Sequence, residues 1–380
     1  MKQVLSFGQY KQPMYNDSFL EKRLSRRKAQ NAFRQLKLPG SKIDLCSNDY
    51  LGIVHNNLLH DKINPGLKTG STGSRLLAGN YALIEETEKQ IAAFHQAEAA
   101  LIFNSGYDAN TGVLSSIPQK GDIILYDQLC HASIRDGIRL SFAQSFSFVH
   151  NDVAELERKL KTVPVAAGSH IFIVTESVFS MDGDFCPLQE MVALTKTHHA
   201  HLIIDEAHAI GVIGEKGEGL CQRENLEQEI FGRVYTFGKA CGCHGAAVCG
   251  SRQLKDYLIN FARSFIYTTA LPEHAAAVIQ ASYNTSPFLK DERVHLQRLI
   301  QYFQKANLQF EKLPSTTPIQ IVMIPGNEEV KKIAAQLQHE GFDVRPILYP
   351  TVPLNKERLR IVIHAFNTID EIEELIHILS

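Results

Sequence analysis

Polar residues gather where three apolar runs of this chain stop. Residues 201–204 lead into Asp205-Glu206-Ala207-His208, and residues 234–237 lead into Gly238-Lys239. Residues 170–175 lead into Glu176-Ser177-Val178-Phe179-Ser180-Met181-Asp182-Gly183-Asp184. In open α/β sheets, ligands sit outside the carboxyl ends of the strands, so these are the positions to inspect for chemistry. Asp205 alone reads as a residue capping a strand, and Lys239 alone as a surface lysine. Together with Thr236, the turn at Gly238 and the glycines at 242 and 245, they read as a site.

A carboxylate on one strand end and a lysine on the next form a recurring arrangement around pyridoxal 5′-phosphate (PLP). The Lys239 amine can form an imine with the cofactor aldehyde. Asp205 can keep the pyridinium nitrogen protonated, which makes the ring an electron sink. His208, three positions after Asp205, can reach the phenolic oxygen. A phosphate needs a helix N-terminus with exposed N–H groups. Asn104-Ser105-Gly106-Tyr107-Asp108 offers one after the apolar run 100–103, although a plain strand-to-helix turn would look the same. His131, in Asp127-Gln128-Leu129-Cys130-His131-Ala132-Ser133, follows another strand and could stack on the pyridine ring.

These groups need a framework. Residues 16–37 read as a charged amphipathic helix ended by Pro39-Gly40, and residues 43–46 as a short strand. A loop rich in Gly, Ser and Thr covers 69–75, and residues 81–95 show helical apolar spacing. Strands are expected at 100–103, 122–126, 145–149, 170–175, 201–205, 234–237 and 246–249. Most are short apolar runs, which suit strands buried on both faces of a mainly parallel sheet. Beyond Pro272, a long helical stretch to Lys312 precedes a strand at 318–324, a helix at 328–341 and a strand near Val344. A strand at 359–363 and a last helix close the chain. The expected fold is α/β: a mainly parallel central sheet with helices on both faces and a smaller C-terminal α+β domain. The division is an N-terminal helical segment (1–45), a large domain (46–271) and a small domain (272–380).

Composition removes several function classes. Lys and Arg total 39 and Asp and Glu 41, for a net charge of −2, which provides no field for nucleic acid or an acidic membrane. The Asp-Glu-Ala-His string matches a helicase signature, yet the phosphate-binding G-x-x-x-x-G-K-[ST] loop that such an enzyme requires is absent. Cys241-Gly242-Cys243-His244 with Cys249 lacks the usual spacing of zinc ligands and reads as packing, so no metal is expected. His198, His199 and His201 read as favourable charge at a helix C-terminus. Seven scattered cysteines, no apolar run at residues 1–10 and no membrane-length apolar stretch point to a reduced, cytoplasmic protein.

The ordered motifs resemble those of the α-oxoamine synthases, a family of PLP fold type I, from about Phe19 to the C-terminus. They are Ser47-Asn48-Asp49-Tyr50-Leu51-Gly52, Gly70-Ser71-Thr72-Gly73-Ser74-Arg75, the run 175–184, Asp205-Glu206-Ala207-His208-Ala209-Ile210-Gly211, Thr236-Phe237-Gly238-Lys239, Phe265-Ile266-Tyr267-Thr268-Thr269 and Tyr349-Pro350-Thr351-Val352-Pro353. The resemblance implies that Lys239 is the imine-forming lysine and proton shuttle, with Asp205, His208 and His131 as its cofactor partners. It implies that Gly106, Tyr107, Ser180 and Thr236 contact cofactor or phosphate. Asn48 and Glu176 would lie near the reacting substrate, Arg360 would clamp the amino-acid carboxylate, and Arg34 and Thr351 would line the acyl substrate. The loop 70–75 and Thr268-Thr269 would reach a neighbouring subunit's cofactor, which implies a homodimer. The implied reaction condenses an amino acid, alanine, with a pimeloyl thioester on CoA or a carrier protein, with loss of CO2. Glycine with acetyl-CoA and serine with a long acyl-CoA are the alternatives. Ser74-Arg75-Leu76-Leu77 looks more like the glycine-using relatives, and the segment between Gly52 and Gly70 is a little short.

Overall fold

The computed structural model describes residues 16–38 and 40–380. The chain forms α1 (Glu21–Ala29), β1 (Ile43–Asp44) and α2 (Ala82–Phe94), and then alternates strand and helix. The alternation comprises β2 (Ala99–Phe103), α3 (Gly106–Ser116), β3 (Ile123–Asp127), α4 (Ala132–Leu140), β4 (Gln144–Phe148), α5 (Val153–Thr162), β5 (Ile171–Glu176), α6 (Leu188–His198), β6 (His201–Asp205), α7 (Leu220–Arg223), β7 (Gly232–Thr236) and β8 (Ala246–Gly250). After these come α8 (Arg252–Phe261), α9 (Arg263–Ile266), α10 (Glu273–Thr285) and α11 (Lys290–Lys305). The chain ends with β9 (Ile319–Met323), α12 (Asn327–His339), β10 (Phe342–Asp343), β11 (Arg345–Ile347), β12 (Arg358–Val362) and α13 (Ile369–Leu379).

The seven apolar runs read as strands become one sheet, in the order β2-β8-β7-β6-β5-β3-β4. Strands β4, β3, β5, β6 and β7 are parallel, while β8 runs antiparallel to both β7 and β2. Alternate side chains feed two cores, as the period of a strand requires. Ile123, Leu125, Ile173 and Leu202 pack with Leu156 of α5 and Met191 of α6. Ile124, Phe172, Val174 and Ile203 pack with Val113 of α3, Ile134 of α4 and Leu258 of α8. The central strands β5, β6 and β7 are covered on both faces, so they present polar groups at their ends.

Two helix expectations need correction. The helix expected over 16–37 ends at Ala29, and Asn31 takes the left-handed conformation (φ 53°) that stops it; the stop expected at Pro39 falls outside the described residues. The stretch 272–312 is two helices, parted at Ser286-Pro287-Phe288 because proline has no N–H to continue the ladder, and the second ends at Lys305.

A second sheet, in the order β11-β12-β9, is antiparallel and carries Arg358 and Arg360 on β12. The early chain runs alongside it. β1 pairs with β10, and the Leu45 and Tyr50 carbonyls accept from the Val362 and Ala365 N–H groups. That path places Asn48 and Tyr50 between β12 and the ends of the large sheet.

The segment after β5 joins the two sheets. The Gly183 carbonyl accepts from the hydroxyls of Ser315 (3.0 Å) and Thr317 (2.9 Å), and Asp182 forms an ion pair with Arg358. Gly183 has φ 73°, and a Cβ there would lie 2.4 Å from the Ile319 carbonyl oxygen. Gly183→Ala is expected to destabilise the protein by about 1–3 kcal/mol. An unchanged urea-denaturation midpoint would contradict this reading of the junction.

Candidate active site

Four strand ends supply the centre of the site. Glu176 and Asp205 are register partners across β5 and β6, and both are buried. Asp205 is held from two sides: its Oδ2 accepts from Asn110 Nδ2 of α3 at 2.7 Å, and its Oδ1 accepts from the Ala207 N–H at 2.8 Å. Asn110 also donates to Ser133 Oγ at 3.0 Å, and that hydroxyl lies 2.8 Å from His131 Nδ1. The His131 N–H donates to Glu176 Oε1 at 2.5 Å. Helices α3 and α4 therefore fix both carboxylates and the histidine in one network.

Lys239 lies in the connection between β7 and β8. That connection is closed by the Phe237 N–H on the Gly245 carbonyl, the Cys243 N–H on the Phe237 carbonyl and the Gly242 N–H on the Lys239 carbonyl. Lys239 Nζ lies 2.8 Å from His208 Nε2. On the far side of the ring, Tyr50 Oη lies 2.6 Å from His208 Nδ1 and 3.1 Å from Asn48 Oδ1. Burial pushes the Tyr50 phenol up to about 12, so it keeps its proton.

Electrostatics separates the roles of these groups. Burial lowers the Lys239 pKa below the ordinary lysine value, against the opposing pull of Asp205 and Glu176. Burial, and then the Asp205 charge, raise the Glu176 carboxyl well above the usual carboxylate range. Burial also lowers His131 and His208, and the Lys239 charge lowers both further, so both imidazoles are neutral near pH 7. The site thus combines an ionisable amine of reduced proton affinity, two neutral imidazoles, a carboxyl of raised proton affinity at Glu176, and the Asp205 carboxyl held by a donor on each oxygen.

The remaining sequence-derived residues fall into groups. Gly106 opens α3 flush against β7, where a Cβ would sit 2.3 Å from Thr236 Oγ1. Ser105 caps α3 by accepting from the Asp108 N–H at 3.1 Å, which leaves the first-turn N–H groups without helical partners. Asn104 Nδ2 ties this corner to Thr268 Oγ1 (3.0 Å) and to the Thr269 carbonyl (2.8 Å). Arg360 donates from Nε to the Ser180 carbonyl at 2.7 Å and from Nη2 to Asn48 Oδ1 at 3.0 Å, which links it through Tyr50 to His208. The Tyr107 side chain turns outward and bonds Asp136. Arg34 and Thr351 pair with each other at 3.2 Å on exposed surface, apart from the central network.

A cleft of about 560 Å³ opens over Lys239, lined also by Asn48, Gly238, Cys243 and His244. Sequence reasoning missed Tyr50, Asn110 and Ser133 as individual contributors. Asn110 did leave a signal, as an amide side chain on the mainly apolar buried face of α3.

The sequence model for class I and II aminotransferases matches residues 40–379, and the chain belongs to that family. It is 40% identical over 389 residues to the 8-amino-7-oxononanoate synthase of Emericella nidulans, covering 95% of this chain and 94% of the relative. The structure of Sphingomonas wittichii serine palmitoyltransferase superposes with a TM-score of 0.83 at 28% identity, over 96% of each chain. The crystal structure of 8-amino-7-oxononanoate synthase from Francisella tularensis superposes with a TM-score of 0.75 at 30% identity, over 89% of this chain and 97% of that one. These relatives bear out the resemblance to the α-oxoamine synthases, and the fold is type I of the PLP-dependent transferases. Among the described residues, no helix is long and apolar enough to cross a membrane.

One further charged group adjoins the site. His150 Nδ1 lies 3.1 Å from Asp127 and Nε2 lies 2.8 Å from Asp184. Burial opposes the charge on His150, but the bonds to Asp127 and Asp184 prevail and push it up to about 10, from an ordinary 6.5. Its stabilising contribution is therefore complete below about pH 6.5 and is lost as pH rises toward 10. The difference in melting temperature between the wild type and His150→Gln should be largest near pH 6 and narrow steadily to pH 10. A difference that widens over that range would contradict the assignment.

Proposed function

We propose that the chain uses PLP to condense L-alanine with a pimeloyl thioester, on CoA or a carrier protein, giving 8-amino-7-oxononanoate, CO2 and the free thiol, a step of biotin synthesis. The observation that carries the reading is the Lys239 amine, whose one hydrogen bond among the described residues goes to neutral His208, beside a carboxylate oriented by Asn110 and the Ala207 N–H. Those donors and acceptors fit the cofactor: an amine for the aldehyde, a carboxylate for the ring nitrogen, and a helix start at Gly106 for the phosphate. When bound, the protonated pyridine ring supplies an electron sink for the reacting Cα.

The side chains divide the remaining work. Asp205 faces the ring nitrogen, with Asn110 and the Ala207 N–H holding both of its oxygens. His208 faces the phenolic oxygen, and neutral His131 offers a flat face to the ring. Thr236 and the first turn of α3 hold the phosphate, with Ser180 close by. Arg360 presents its guanidinium fork to the alanine carboxylate, with Asn48 aligning it. Lys239 Nζ, with its lowered proton affinity, takes the Cα proton and later returns one to the same carbon. Glu176 positions His131 and faces the substrate, and Arg34 and Thr351 meet the far end of the acyl chain.

A homodimer in the cytoplasm completes the proposal. The loop 70–75 with Thr268 and Thr269 would complete the partner's site, and the exposed Leu77 and Tyr267 supply apolar surface for that contact. The likeness to serine palmitoyltransferase makes serine with a long acyl thioester the second reading.

Release of free thiol, measured over a grid of amino acids and acyl thioesters, decides between them. Alanine with pimeloyl-CoA or pimeloyl carrier protein should give the highest kcat/KM; activity with glycine alone would defeat the proposal. Lys239→Ala should lower kcat by roughly 10²–10⁴-fold or more, and a purified variant retaining wild-type turnover would overturn the assignment of the base.

A further inference from the structure

His150 lies outside the cofactor network, yet it touches the two segments that support it. Asp127, fully buried at the end of β3, accepts from the Leu129 N–H (2.8 Å) and the Asn151 N–H (2.9 Å) as well as facing His150. Its segment continues directly into His131. Asp184 accepts from His150 Nε2 and from Asn151 Nδ2, each at 2.8 Å, and Asn151 Nδ2 also donates to the Phe185 carbonyl at 3.0 Å. The His150 and Phe179 rings meet edge to face, with centroids 4.4 Å apart and planes at 84°. The turn that starts at Phe179 closes on itself, the Phe179 N–H donating to the Asp184 carbonyl and the Gly183 N–H to the Phe179 carbonyl.

That turn carries the contacts on which Arg360 depends. The Ser180 carbonyl accepts from Arg360 Nε at 2.7 Å, and the Met181 carbonyl accepts from Arg358 Nη1 at 3.2 Å. One side of residues 180–184 is therefore anchored to the large sheet through His150. The other side meets β9 and β12. If the imidazole were removed, Asp127 and Asp184 would face each other without a cation between them, and like charges drive such groups apart.

We propose that His150 is a positioning residue for carboxylate recognition: by bridging Asp127 and Asp184, it holds residues 180–184 where the Ser180 carbonyl can aim the Arg360 guanidinium. The proposal rests on the reading of Arg360 as the clamp for the substrate carboxylate. Substrate binding to the PLP-loaded enzyme, followed through cofactor absorbance without any acyl donor, tests both. In His150→Gln, the Kd for L-alanine should rise roughly tenfold, the loss expected for one misaligned charged hydrogen bond. The Kd for L-alaninamide, which lacks the carboxylate, should stay within about twofold of wild type. His150→Gln/Asp184→Asn, which removes the opposed charge, should regain most of the alanine affinity and supplies the folded comparison if the single variant is unstable. Equal losses for both ligands, no loss for alanine, or no recovery in the folded double variant would overturn the proposal. Arg360→Gln is the separate control: if it binds alanine as wild type does, the clamp reading itself has failed.

Discussion

Two carboxylates standing side by side at the ends of adjacent strands set the terms for the whole site. Glu176 and Asp205 occupy matching register positions on β5 and β6, buried and facing the same strand-end surface. Two full charges there would repel in a medium that screens them poorly. The fold resolves this unequally. Asp205 receives a donor on each oxygen, while Glu176, with the His131 N–H as its donor, is pushed toward the protonated form. Carboxyl groups held at different proton affinities a short distance apart can take different chemical roles at one pH.

That inequality is built from distant pieces of chain. Asn110 reaches Asp205 only because α3 starts hard against β7, and it starts there because Gly106 leaves room for Thr236. The same close approach sets the first turn of α3 beside Thr236 at the end of β7. One glycine therefore has two effects: it sets where α3 starts, and it brings Asn110 within reach of Asp205.

The strand ends were legible because short apolar runs that stop at polar residues mark strands buried on both faces. His208 and Lys239 stood out by their positions at those ends, whereas His131 rested on the family resemblance. Tyr50, Asn110 and His150 were harder to see, because their partners are far away in sequence. Tyr50 meets His208 across 158 positions, and Asn110 meets Asp205 across 95. No local periodicity encodes such pairings. The helix boundaries that needed correction, at Ala29 and at Pro287, have local causes instead: a left-handed residue, and a proline inside an otherwise helical pattern. The direction of β8 was likewise hidden, since an apolar run carries no sign of the way it will point.

The reversal of β8 bears directly on the chemistry. Parallel neighbours need a crossover of a dozen or more residues, usually through a helix, whereas antiparallel neighbours can be joined by a short turn. Because β8 turns back beside β7, Lys239 sits in a short, internally bonded loop that remains over the strand ends. A crossover helix there would have carried the chain away from Asp205 and His208. The same loop continues through Cys243 and His244, which line the cleft above the amine. The segment that holds Lys239 thus also lines the cleft above it, so Cys243 and His244 shape that space without bonding to the groups around the Lys239 amine.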